Sequence, residues 1–271
     1  MTQRIAFIGG GNMAGAIIGG LIKQGISPRL IDVVEPLAET REALKNRFGL
    51  QPRAEAGDFL SASDMVIWAV KPQVFKQVAL AAAPYTAQAL HLSVAAGIPS
   101  HSIAQWLGSE RIVRAMPNTP ALIGKGISGL FARAAVTSAD KDWVGQVMAT
   151  TGEFLWLDQE ELLNAVIAVS GSGPAYMFYL MEAMTTGGTE MGLSREQAHQ
   201  LTVATFIGAG ELAKASSEPP KVLRQQVTSA GGTTFAAIAS MEDDDMQALL
   251  INAMYAARQR AVELAAEFGA A

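Results

Sequence analysis

The chain has 271 residues, of which 50% are hydrophobic and 17% charged, with no cysteine and a formal net charge of −5. This length fits one large domain or two modest ones, and the missing cysteines exclude disulfides and cysteine-ligated zinc or iron–sulfur sites. The net negative charge argues against nucleic-acid binding, because a protein that binds nucleic acid normally presents a basic face. So low a charge content is unusual for a monomer, because a lone domain must present a wettable surface.

The N-terminal segment lacks the basic stretch and apolar run of a secretory signal, so we expect a cytoplasmic protein. The long uncharged stretch at 165–181 contains a Gly-Ser-Gly-Pro break. This break favours the start of a buried helix over a membrane span. We therefore expect no membrane partner.

The first part of the chain alternates short apolar runs with helical stretches. The apolar runs predict strands at 4–9, 29–34, 64–70, 90–96, 111–116, 126–132 and 152–157. Continuous apolar strands that alternate with helices are typical of a parallel sheet covered on both faces. The sequence therefore predicts the α/β class, with a Rossmann-type doubly wound parallel sheet over residues 1–158.

After residue 158 the pattern changes to helices alone. Helical spacing predicts helices at roughly 159–190, 195–215, 219–228, 232–241 and 243–268, the first of them broken at 171–174. Ser194 and Gln197 form a capping-box pattern at the start of the second helix. Because no flexible linker separates the two parts, the sequence predicts an all-α domain over 159–271 joined directly to the sheet.

The segment 9–14 reads Gly-Gly-Gly-Asn-Met-Ala and fits the pattern G-x-G-x-x-A. In a dinucleotide-binding unit the first glycine permits a tight turn, the second lets the backbone approach a pyrophosphate, and the small third residue packs helix on strand. The phosphates then lie at the helix N-terminus. The position of the segment between a strand and a helix favours dinucleotide binding over an ordinary glycine turn.

The coenzyme could be NAD or NADP. An acidic residue after the second strand would bind the ribose hydroxyls and repel a 2′-phosphate. Asp32 and Glu35 are the candidates, and Glu35 is preferred because it follows the strand. Arg41 and Arg53 are the arginines that could reach a 2′-phosphate. The pattern favours NAD slightly and leaves both coenzymes open.

Three further segments, 69–72, 95–97 and 116–120, follow predicted strands. Ligands of open parallel sheets bind beyond the carboxyl ends of the strands. Lys71 is a candidate for a phosphate or carboxamide contact, with a solvated lysine as the alternative. Asn118, in a loop stiffened by two prolines, favours ligand contact over simple turn chemistry.

Two clusters of small residues in the helical part, 170–176 and 228–234, each precede a helix. Free N–H groups at a helix start bind anions such as carboxylates, and a tight turn between helices is the alternative. The three histidines, His91, His101 and His199, lie in separate predicted elements without ligand spacing. We therefore predict no metal site.

Together these motifs resemble those of the pyrroline-5-carboxylate reductase family. The matching stretches run from residue 7 to residue 234 and read FIGGGNMA, AVKPQ, SVAAGI, RAMPNTPAL, VSGSGPAY and VTSAGGTT. The resemblance implies a helical dimerisation domain after the Rossmann domain, and a homodimer that in some members assembles into a decamer of five dimers. It also implies reduction of 1-pyrroline-5-carboxylate to L-proline with NADPH or NADH.

The resemblance further implies roles for single residues. The expected coenzyme contacts are Gly9, Gly10, Gly11, Asn12, Met13, Val34, Glu35, Pro36, Ala69, Val70, Lys71, Pro72, Ala95, Ala96 and Gly97. The expected substrate contacts are Asn118, Ser172, Gly232, Thr233 and Thr234. Thr234, which should reach the ring nitrogen, and Glu160, the acidic residue near the substrate, are the expected catalytic residues.

Two positions depart from the family pattern. Ala230 stands where the family usually has proline, and Val34 stands where NADP-preferring members often offer a hydroxyl.

Two other functions suit the same architecture. A β-hydroxyacid dehydrogenase would need a lysine near the glycine-rich clusters of the helical part to deprotonate an alcohol. Lys214 and Lys221 do not lie near those clusters in the sequence. A dinucleotide sensor without catalytic activity would have no use for a carboxylate-binding helix start.

Overall fold

A computed structural model describes residues 3–269, and the strands in that range form a single sheet. The strands are β1 (Ile5–Ile8), β2 (Ile31–Val34), β3 (Met65–Trp68), β4 (Leu90–Ser93), β5 (Ile112–Met116), β6 (Gly126–Ala132) and β7 (Gly152–Trp156). Their order across the sheet is β2-β1-β3-β4-β5-β6-β7. All seven lie within the predicted ranges, and the α/β fold class is confirmed.

β6 corrects the prediction of a wholly parallel sheet. It pairs antiparallel with β5, with Val113 opposite Ala132, whereas β7 pairs parallel with β6. The connection 117–125 contains only a short 3-10 helix, Thr119–Ile123. A parallel pair needs a crossover of a dozen or more residues, so this short connection returns the chain in the opposite direction.

Helices cover both faces of the sheet. Those that precede residue 158 are α1 (Asn12–Lys23), α2 (Ala38–Phe48), α3 (Pro72–Thr86), α4 (Ser100–Leu107) and α5 (Ser138–Met148). Alternate residues of β1 enter two separate cores, because successive side chains of a strand point to opposite faces. Phe7 packs in the core that contains Ile17 of α1, and Ile8 packs in the core that contains Phe75 of α3.

Beyond β7 the described chain is helical. The helices are α6 (Leu162–Val166), α7 (Gly173–Glu190), α8 (Arg195–Ala215), α9 (Pro220–Gln226), α10 (Thr233–Asp243) and α11 (Met246–Gly269). A π-helical turn, Ile167–Gly171, precedes α7 and reaches the first residue of the predicted break at 171–174. The capping box is confirmed, since Ser194 Oγ accepts from the Gln197 N–H at 3.2 Å and Gln197 Oε1 accepts from the Ser194 N–H at 2.9 Å. Within the described range, no helix is both long and apolar enough to cross a bilayer.

The described residues divide into two compact units. One comprises 3–172 together with 257–269, and the other comprises 173–256. The strands end at Trp156, near the predicted boundary, but residues 159–172 and the end of α11 belong to the unit that contains the sheet. The division of the chain into domains at residue 158 stays a prediction.

The carboxylate of Glu160 links its own segment to α4 and β5 of the sheet-containing unit. Its Oε1 accepts hydrogen bonds from the Ser100 N–H at 2.6 Å and from Arg114 Nη1 at 2.7 Å. Its Oε2 accepts from Ser100 Oγ at 2.5 Å, and the same Oγ accepts from Arg133 Nη1 at 3.2 Å. Ser100 is the first residue of α4, so the carboxylate satisfies an N–H that has no partner within the helix and lies at the positive end of the helix dipole.

Glu160 is also the counter-charge of a buried arginine. Arg114 of β5 is only 8% exposed. Burial on its own would raise the pKa of Glu160, but the hydrogen bonds from Ser100 and Arg114 and the charge of Arg114 outweigh it and hold that pKa below its usual value. Glu160 is therefore ionised at neutral pH and accepts hydrogen bonds as a carboxylate.

Replacement of Glu160 by glutamine should lower the free energy of unfolding at neutral pH by about 2–3 kcal/mol, because Arg114 loses its counter-charge. This is less than the cost for a fully buried pair, since the Glu160 side chain is 20% exposed. The folded-state pKa of Glu160 lies below the unfolded value, so its stabilisation is complete above the unfolded pKa and is lost as the pH falls through the folded pKa. The difference between wild type and Glu160→Gln should therefore shrink under acidic conditions.

Chemical denaturation at a fixed protein concentration, repeated from acidic to neutral pH, measures this difference. Glu161→Gln is the matched control, because Glu161 is the exposed neighbour of Glu160. A difference between wild type and Glu160→Gln that stays constant with pH would contradict the ionised role of Glu160.

Candidate functional site

The segments predicted to bind coenzyme meet at one edge of the sheet. They follow or end β1, β2, β3 and β4, which are neighbours and run parallel. The carboxyl ends of parallel strands share one edge, and ligands bind where the strand order reverses. In this sheet the reversal lies between β1 and β3, since β2 follows β1 on one side and β3 lies on the other.

The glycine loop, residues 9–11, is closely packed at its first two glycines and open at the third, as a dinucleotide site requires. Gly9 has φ of +96°, and a β-carbon there would lie 2.5 Å from the Ala69 carbonyl oxygen. A β-carbon at Gly10 would lie 2.6 Å from Leu44 Cδ1, whereas one at Gly11 would meet nothing within 4 Å.

Gly11 is the N-cap of α1, whose first turn, including Asn12 and Met13, has no side-chain cap and no acidic residue. The first N–H groups of α1 are therefore available to a pyrophosphate.

The structure distinguishes the two acidic candidates. Glu35 is 7% exposed, and its carboxylate accepts from the Gly10 N–H at 2.8 Å and from the Leu37 N–H at 2.9 Å. Asp32 instead pairs with Arg4 at 2.9 Å. A carboxylate has about four acceptor sites, so Glu35 keeps capacity for ribose hydroxyls.

The two arginines near the ribose turn, Arg41 and Arg53, also differ in their contacts. Arg41 Nη1 donates to the carbonyls of Glu35 at 2.9 Å and Pro36 at 2.6 Å, which holds its guanidinium at the turn. Arg53 lies over the ring of Phe59, 4.0 Å from its centroid. Arg41 is therefore the better candidate for a 2′-phosphate.

Val34, the last residue of β2, is buried, and its carbonyl accepts from the Gly9 N–H at 2.8 Å. Its contribution to the turn thus comes from its backbone.

The loops after β3 and β4 complete this edge. Val70 Cγ1 lies 3.0 Å from the position of a Gly9 β-carbon, and Lys71 is an exposed residue that precedes Pro72 at the start of α3. After β4, Ala95 and Gly97 are buried and Ala96 is half-buried. Gly97 has φ of +72°, which favours glycine.

Asn118 connects the loop after β5 to two other segments. Its Nδ2 donates to the Ser170 carbonyl at 3.1 Å, and its Oδ1 accepts from the Ile127 N–H at 3.0 Å. Ser172 follows the π-helical turn, and its N–H donates to the Ile167 carbonyl at 2.7 Å. π-helical turns are frequent at functional sites, so this region stays a candidate for substrate contact.

The predicted carboxylate site at the start of α10 belongs to the other compact unit. A turn closes there, since the Gly232 N–H donates to the Ser229 carbonyl at 3.0 Å, and Gly231 has φ of +72° as a type II turn requires. The Gly232 N–H therefore already has a partner within the turn, and a substrate contact at Gly232 stays a prediction. The first N–H groups without an intrahelical acceptor are those of the exposed Thr233 and Thr234 and of Phe235.

Sequence reasoning missed the Arg114–Glu160–Ser100 network, although one signal was available. Arg114 interrupts an apolar run predicted to be buried on both faces, and a buried arginine requires a partner. The identity of that partner had no sequence signal.

His91 proves to be a core residue. It is fully buried, and its Nδ1 accepts from Trp68 Nε1 at 3.2 Å. Burial, aided by the charge of Arg111, lowers its pKa to about 4.

Comparison with known proteins gives matches along the chain. The family described as pyrroline-5-carboxylate reductase dimerisation matches residues 160–264, and the family described as NADP oxidoreductase coenzyme F420-dependent matches residues 4–97. The pyrroline-5-carboxylate reductase of Pseudomonas aeruginosa is 47% identical over 270 residues, which cover 99% of each chain. That of Pisum sativum is 36% identical and covers 97% of this chain and 96% of its own.

Solved structures agree with these matches. A pyrroline-5-carboxylate reductase from Coxiella burnetii superposes with a TM-score of 0.91 at 37% identity, covering 97% of this chain and 99% of its own. A Plasmodium falciparum pyrroline carboxylate reductase with NADP bound gives a TM-score of 0.86 at 28% identity, covering 97% and 98%. The similarity extends over both the sheet and the helical part, and the chain belongs to the pyrroline-5-carboxylate reductase family.

Proposed function

We propose that this chain transfers a hydride from NADPH or NADH to the C=N carbon of 1-pyrroline-5-carboxylate and so forms L-proline. The observation that carries the proposal is the 47% identity with a pyrroline-5-carboxylate reductase over 99% of both chains. The open helix start beyond Gly11, at the point where the strand order reverses, supports the dinucleotide requirement.

The substrate is a cyclic imine that carries a carboxylate, and protonation of its nitrogen makes it a good electrophile. The bound nicotinamide coenzyme supplies the hydride. The chain must hold the carboxylate and stabilise the iminium, which positioning and electrostatics can do without a strong general base. The N–H groups of Thr233 and Thr234 are the proposed carboxylate donors, and the Thr234 hydroxyl is the proposed partner of the ring nitrogen.

Glu160 has a different proposed role from the one that the family resemblance implies. Its carboxylate accepts three hydrogen bonds and remains ionised, so it is a poor proton donor at neutral pH. We assign it to the positioning of α4, and a direct contact between Glu160 and the substrate stays a prediction.

The 173–256 unit is proposed to form a homodimer with a second copy. It exposes large apolar side chains, including Phe178, Tyr179, Met191, Leu201, Leu249 and Tyr255. Extended apolar surface of this kind marks protein interfaces, and the whole of this unit falls within the family match for dimerisation. A buried interface would also account for the low charge content of the chain. Further assembly into a decamer and a cytoplasmic location stay predictions of the same proposal.

The purified chain should oxidise NADPH or NADH when 1-pyrroline-5-carboxylate is added, and the absorbance of the reduced nicotinamide measures the rate. Small 3-hydroxyacids with the oxidised coenzymes should give no reaction, since no alcohol-deprotonating lysine is expected. Turnover of the hydroxyacids would instead indicate a β-hydroxyacid dehydrogenase. Coenzyme binding without turnover of either substrate would indicate a sensor.

Thr234→Ala should lower kcat/KM for the imine by about 10- to 100-fold, the typical effect of losing a hydrogen bond to a charged group. Thr234→Ser keeps the hydroxyl and should retain most of the activity. Thr233→Ala is the control, because Thr233 is proposed to act only through its backbone. An unchanged kcat/KM in Thr234→Ala would show that the assigned hydroxyl contact is wrong.

Arg41→Ala should raise KM for NADPH about tenfold while changing KM for NADH by less than about twofold, because a guanidinium–phosphate contact is lost only with NADPH. The ratio of the two KM values is the measurement. Arg47→Ala, on the same helix but stacked over Phe48, should leave the ratio unchanged. An unchanged ratio in Arg41→Ala would remove Arg41 from coenzyme selection.

A further inference from the structure

We infer that the last turns of α11, residues 264–269, act as a positioning element for the coenzyme loop 95–97. The inference rests on the proposed function, which assigns that loop to the coenzyme. The residues concerned lie more than 160 positions after the loop in the sequence and outside the glycine fingerprint.

The first contact is between α11 and the glycine of the loop. A β-carbon at Gly97 would lie 3.3 Å from Leu264 Cβ and 3.6 Å from Phe268 Cδ2. The helix therefore lies directly against the backbone of Gly97, which already has the left-handed conformation that favours glycine. Phe268 also packs against the core that contains Ala95 and Ile98.

The second contact is at the helix end. Ser102 Oγ of α4 donates to the carbonyl of Gly269 at 2.9 Å, and a β-carbon at Gly269 would lie 2.9 Å from Pro99 Cγ. The final carbonyls of a helix lack partners within the helix, so the Ser102 hydroxyl satisfies one of them. The end of α11 thus touches two positions of the connection from β4 to α4 and one in the first turn of α4.

The third constraint comes from Glu160, which binds the N–H and the hydroxyl of Ser100. Ser100 lies between the residues that α11 contacts. The loop 95–97 is therefore bounded by β4 on one side and by a doubly anchored segment, 97–102, on the other. Such anchoring holds the loop in one conformation before a ligand arrives, which removes an ordering cost from binding.

The consequence is a specific effect on coenzyme affinity. Loss of the Phe268 ring would leave a cavity beside Gly97, and the loop would gain conformational freedom that coenzyme binding must then restrict. Phe268→Ala should raise Kd for NADPH about 3- to 10-fold, the effect expected when binding must order a loop of this size. KM for the imine and kcat should stay within about twofold of wild type, because Phe268 contacts neither the imine nor the reacting atoms in this proposal.

The experiment uses the full chain and measures Kd for NADPH by calorimetry without imine, then KM and kcat for both substrates. Phe268→Leu should recover most of the affinity, since it refills the cavity. Glu267→Ala is the matched control, because Glu267 is exposed and pairs with Arg260 on its own helix. Leu264→Ala provides a second test if Phe268→Ala does not fold.

The outcomes separate this inference from the proposed function. Wild-type protein that bound neither NADPH nor NADH would contradict the proposed function itself. If wild type binds NADPH and both Phe268→Ala and Leu264→Ala bind it with the wild-type Kd, only the positioning role is overturned. Equal losses in the affinities for coenzyme and imine would overturn it as well, since they would indicate general destabilisation.

Discussion

The edge of the sheet that is proposed to bind the coenzyme depends on the close approach of two backbones. Gly9 lies so near the Ala69 carbonyl that a β-carbon would come within 2.5 Å of the oxygen. The same glycine donates its N–H to Val34, so the ends of β1, β2 and β3 are held together at one residue. The carboxylate of Glu35 can then reach the Gly10 N–H. The surface offered to a dinucleotide thus exists because one position carries no side chain.

Two carboxylates reinforce this edge by accepting hydrogen bonds from backbone N–H groups. Glu35 binds those of Gly10 and Leu37, and Glu160 binds that of Ser100 at the start of α4. Each fixes a loop that follows a strand. Glu160 remains ionised in this role, because the hydrogen bonds from Ser100 and Arg114 hold its pKa below its usual value. Such a use suits the reduction of an imine, whose electrophile is already activated by protonation.

The features that sequence could predict are local ones. A run such as 5–8 and the glycines that follow it indicate a strand, a turn and a helix without reference to the rest of the chain. The antiparallel β6 depends on the length of one connection and on strand pairing, which periodicity does not report. The contact of Ser102 with Gly269 joins residues 167 positions apart, and helical spacing cannot identify such a partner. The preference for Glu35 over Asp32 as the ribose ligand rests on position relative to the strand end and stays a prediction.

The turn before α10 bears on how relatives of this chain are recognised. The family pattern has proline at the position of Ala230, yet the turn here closes with a 3.0 Å hydrogen bond between Ser229 and Gly232. Proline at such a position acts mainly by restricting the unfolded chain, whereas the positive φ of Gly231 is a requirement of the folded turn. A motif search that insists on the proline would discard this sequence, and one that insists on the glycine would retain it. In this chain, the folded turn therefore constrains position 231 more strictly than position 230.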